Sequence, residues 1–65
     1  MPYPIVRPDL VENKYLEYLD SLSEHGKDLF EMRLYIASEF ALHADFAAQV
    51  VSYWAKLRGI AESAN

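Results

Sequence analysis

The sequence contains no cysteine. That excludes disulfide stapling and any zinc centre built on thiolates. Glycine is scarce, with Gly26 and Gly59 alone. No glycine-rich loop can cradle a phosphate, and no G-x-S-x-G nucleophile elbow can form. No apolar run approaches the roughly 18–20 residues that a membrane-spanning helix needs. The segment Met1-Pro2-Tyr3-Pro4-Ile5-Val6 lacks the basic and apolar regions of a secretory signal. The expected location is therefore the cytoplasm. Positive charge is also short. Six Lys and Arg oppose ten Asp and Glu, for a net charge of −4. Nucleic-acid binders are usually basic, so this balance disfavours that class.

What the chain does have is apolar surface. At 52% hydrophobic and 14% aromatic, it is too rich in core-forming residues to remain disordered. Its 65 residues make one domain and leave no room for a deep enzyme pocket. No paired acids fall in a recognisable site, so the chain is read as a non-enzyme with no catalytic residue, cofactor or metal assigned. A domain of this size buries only about 60% of its unfolded surface. Its core alone supplies roughly 3–5 kcal/mol. A partner chain, either a second copy in a homodimer or a different protein, is the usual remaining source of stability.

Residues 1–7 read as an extended arm, because Pro2, Pro4 and Pro8 fix φ and remove backbone donors. Residues 8–62 read as a single three-helix domain and 63–65 as a frayed tail. The first helix is predicted from Pro8 to His25, with Asp9 and Glu12 in its first turn and Gly26 ending it. Val11, Tyr15, Tyr18, Leu19 and Leu22 share its apolar face. The second helix is predicted from Lys27 or Asp28 to Leu42. Leu29, Met32, Ile36 and Phe40 make its stripe, and Phe30, Leu34, Ala37 and Ala41 widen it past half the circumference. A helix apolar nearly all round is a central one, contacted on two sides. The third helix is predicted from an Asp45 cap to about Ala61, with Phe46, Val50, Tyr53, Leu57 and Ile60 as its stripe and Gly59 as a weak interior position. No segment alternates with period two. The fold class is all-α, either a bundle or an orthogonal arrangement like a helix-turn-helix.

Four features carry functional readings. Ala48, Ser52, Ala55 and Gly59 form a row of small residues on the third helix, flanked by Trp54 and Val51. This row is either where the third helix meets the first or a seam with another chain. With Tyr35 and Leu42 of the second helix, Trp54, Val51, Ala48, Ser52 and Ala55 form the candidate protein interface. Residues 33–58 also admit a helix-turn-helix register, with Ala41 as the small residue, Asp45 at the turn and Val51 buried. Gln49 and Ser52 would then touch base edges, with Lys56 and Arg58 on phosphates and Tyr53 as a further DNA contact. Asp9, Glu17, Asp20 and Glu24 make an acidic face, which reads either as a basic-partner site or as a solvated surface. Glu39 and His43, one helical turn apart, are two of the ligands a divalent metal would need, and no third is visible. His25 reads as a cap on the first helix.

Arg33 projects into the apolar arc of the second helix and requires either an escape to solvent or an acidic partner. The leading functional expectation is a small protein-interaction module: an adaptor, inhibitor or subunit presenting its second and third helices. The alternative is a DNA-binding regulator.

Overall fold

The first helix starts later than its composition predicts. In a computed structural model, which describes residues 7–60, α1 spans Asn13–Glu24, α2 Leu29–Phe40 and α3 Ala44–Leu57. Pro8 therefore does not open α1. Its carbonyl accepts the Val11 N–H at 3.4 Å, closing a turn in which Leu10 takes a φ of 72°. That left-handed residue breaks the helical path. Asp9 is left outside the helix, and Glu12 becomes an extended N-cap with no side-chain capping bond. The expected end does hold. Gly26, at φ 80°, donates to Ser23 O, and Lys27 donates to Leu22 O. These are the paired bonds of a Schellman terminus.

α2 opens on a capping box. The Asp28 carboxylate accepts the Glu31 N–H at 2.8 Å, while Glu31 Oε1 accepts the Asp28 N–H at 3.2 Å. The helix stops at Phe40, short of the expected Leu42, because Ala41 turns left-handed at φ 55°. The Leu42 N–H then bonds Ala37 O at 2.9 Å. An alanine Cβ in that conformation costs about 1 kcal/mol or somewhat more. Ala41→Gly is expected to raise stability by about 1 kcal/mol, read as a higher urea midpoint. A lower midpoint would mean that position 41 is not left-handed.

α3 is capped by His43 rather than by Asp45, which sits inside the first turn. It ends at Leu57 rather than near Ala61. Gly59 is not interior but the left-handed terminator at φ 71°, with Ile60 N–H bonded to Ala55 O at 2.8 Å.

The three helices close on one core. Leu19 of α1, Ile36 of α2 and Val50, Val51, Trp54 and Ala55 of α3 are all buried. Among the described residues α3 contributes six of the twelve buried apolar residues and α2 only two, so α3 is the central helix and α2 is not. Tyr15 and Tyr18 meet Phe40 edge-on at 5.0 and 5.5 Å, and Tyr15 meets Phe46 at 6.1 Å. These contacts pin α1 to the α2–α3 corner. Arg7 lies 5.8 Å over the Tyr53 ring and donates to Asn13 Oδ1 at 3.0 Å. The rest of the proposed arm (residues 1–6) and the tail lie outside the described residues. Among the described residues no strand forms, and no helix is long and apolar enough to cross a membrane.

Candidate interaction surface

α2 is apolar on two sides and uses one of them. Ile36 is fully buried and Met32 nearly so. Phe30 and Leu34, four residues apart and therefore on one face, are 64% and 58% exposed. Tyr35 is exposed beside them, with Lys27 Nζ 5.2 Å above its ring. Arg33 is half-buried. The second contact side expected of α2 is thus present as open surface. Phe30 and Leu34 were visible in the sequence as the widened stripe, but nothing there distinguished them from core.

The third-helix residues fall elsewhere. Trp54, Val51 and Ala55 are buried in the chain's own core, so they are not available to a partner. Ala48 and Ser52 are half-buried, and Leu42 is half-buried against the core. The intrachain alternative for this row therefore holds at its centre. The physical reason is scarcity: with α2 giving one face and α1 keeping a wet side, α3 must fill the middle. Of the proposed interface, Tyr35 alone is well exposed.

The acidic face is also reduced. Asp20 Oδ1 accepts both the Trp54 indole N–H and the Arg58 Nε–H, each at 2.8 Å. Asp20 Oδ2 accepts from Arg58 Nη2 at 2.7 Å. The Arg58 bonds, then the Trp54 bond, hold the Asp20 carboxyl below its ordinary range, against a smaller opposing effect of burial. Asp20 is a clamp between α1 and the end of α3, not a free surface charge. Glu17 and Glu24 remain exposed on α1, while Asp9 is exposed but off the helix. On the α1–α2 side, partial burial, then the Glu39 charge, then Tyr35, pushes the Tyr18 phenol upward.

The helix-turn-helix register is corrected as well. Ala41 caps α2 rather than lying within it, and the turn is Ala41–His43, with Asp45 already in α3. Ala37, one turn earlier in α2, is half-buried against the core. Of the proposed DNA contacts, Gln49 and Lys56 are exposed and Ser52 is half-buried. Tyr53 is buried, and Arg58 is committed to Asp20. Asp45 adds a carboxylate at the end a recognition helix would push into the groove.

Among the described residues no three His, Asp or Glu come together to hold a metal. His43 instead caps α3, and His25 Nδ1 lies 2.8 Å from Ser21 O at the end of α1. No family model, curated protein or solved structure matches this chain.

Proposed function

We propose that this protein is a small helical interaction module that engages another polypeptide through the outer face of α2. The supporting observation is the Phe30–Leu34 pair, two large apolar side chains exposed one turn apart on a helix whose other face is core. A domain this small has little stability to spare, so surface apolar side chains of this size are best explained by a partner. The occupant that suits a ridge one helix wide is an apolar helix face, read through anchors at i and i+4. Whether that helix comes from a second copy or from a different cytoplasmic protein sets the role as homodimer, adaptor, inhibitor or subunit.

The test is association of the intact chain at micromolar concentration, by light scattering and by affinity capture, against Phe30→Ser/Leu34→Ser. Because both positions are exposed, the variant keeps its helicity and melt. Association is expected to weaken about 30-fold or more, as for loss of an interface hot spot. Unchanged association would overturn the reading, as would a wild type that stays monomeric and captures nothing. Binding to duplex DNA at low salt, where phosphate attraction is strongest, would favour the α3 alternative carried by Gln49 and Lys56.

A further inference from the structure

His43 occupies the short turn between α2 and α3, with an extended backbone at φ −63° and ψ 146°. Its Nδ1 lies 3.2 Å from the Asp45 nitrogen and accepts that N–H. An imidazole nitrogen can accept a hydrogen bond only while it carries no proton. The capping bond therefore belongs to the neutral ring, with its proton on Nε2. The same Nδ1 lies 4.0 Å from Asp45 Oδ2.

Protonation turns this nitrogen from acceptor to donor. It would then face the Asp45 N–H donor, at a helix end whose dipole repels cations. The carboxylate of Asp45 is the acceptor within reach. We propose that His43 and Asp45 form a pH-operated cap on α3. The neutral ring binds the Asp45 amide, and the protonated ring releases it and pairs with the Asp45 carboxylate.

His43 is 79% exposed at its side chain, so nothing in the core opposes the exchange. The charged group beside it is the Asp45 carboxylate on α3, and Glu39 is exposed in the last turn of α2. His25 supplies an internal contrast. Its Nδ1 faces a carbonyl, Ser21 O, and a protonated nitrogen donates there in either charge state of the ring.

The experiment is an NMR titration of the full chain from pH 8 to pH 5. The Asp45 amide proton is expected to lose its hydrogen-bonded shift with the same midpoint as the His43 ring protons. The Asp45 carboxyl carbon should move with it. In His43→Asn the side-chain carbonyl caps at every pH, and the Asp45 amide should stay flat. An Asp45 amide that does not move in the wild type would overturn the proposal. So would one that moves equally far in His43→Asn, since the signal would then come from another group.

Discussion

Trp54→Ala is expected to abolish cooperative folding at 25 °C. Trp54 is 1% exposed and is the largest fully buried side chain. It shares the core with Leu19 and Ile36, so truncation opens a void that all three helices line. Large aromatic-to-alanine changes in cores cost about 3–5 kcal/mol. A domain of this size rests on roughly that much in total. The variant should lack a sigmoidal urea transition, and its far-ultraviolet signal should resemble that of the denatured wild type. Trp54→Phe separates volume from hydrogen bonding. It keeps an aromatic body but removes the indole N–H that Asp20 accepts, so it should fold with a loss of about 1–2 kcal/mol. A native-like transition in Trp54→Ala would place this side chain outside the core.

That expectation bears on the proposed interface, because a variant that unfolds cannot report on a surface. Trp54 and Phe30 were indistinguishable as apolar residues on wide stripes. Periodicity says that a residue lies on an apolar arc, but not whether this chain or another covers it. The assignment depends on which helix takes the middle of the domain. α2 has the broader apolar circumference, yet α3 supplies Val50, Val51, Trp54 and Ala55 to the centre. Composition ranks the two helices in the wrong order because α2's excess faces outward.

The helices themselves were legible, and their ends only partly so. Gly26 terminates α1 as its residue type requires, since no side chain resists φ 80°. Asp28 and Glu31 carry the spacing of a capping box, a local signal that fixes where α2 begins. Leu10 and Ala41 take left-handed conformations without being glycine or asparagine, and no local rule anticipates them. At Ala41 the cost is offset by the packing of the two helices it joins, which have to reach the core at the right angle. The His43 cap is likewise local, two residues from its donor, but histidine is not among the usual capping residues. Contacts between residues far apart in the chain were the least legible. Asp20 and Arg58 are 38 residues apart, and nothing in either helix alone says that they meet.

Asp20→Ala tests that contact, and its effect should be large for a residue so near the surface. The substitution removes both Arg58 bonds and leaves the indole of a buried tryptophan without its acceptor. Hydrogen bonds to charged groups contribute about 1.5–3 kcal/mol each when well shielded. Both side chains of the ion pair are partly exposed, so water and salt screen it. The expected loss at neutral pH is therefore about 1–2.5 kcal/mol. Glu17→Ala and Glu24→Ala, at exposed positions on the same helix, should stay within about 0.5 kcal/mol.

The dependence on pH carries the sign. Folding lowers the Asp20 carboxyl below its unfolded value of about 3.9. Its contribution is therefore fully present above that value and is lost as pH falls through the lower, folded one. Wild type and Asp20→Ala should differ most in urea midpoint at pH 7, and the gap should shrink as pH falls through the lowered, folded value. Asp20→Asn retains an oxygen for Trp54 but not the paired charge, so it should fall between the two at pH 7. A gap that persists unchanged into acid would mean that the carboxylate is not what joins α1 to the end of α3.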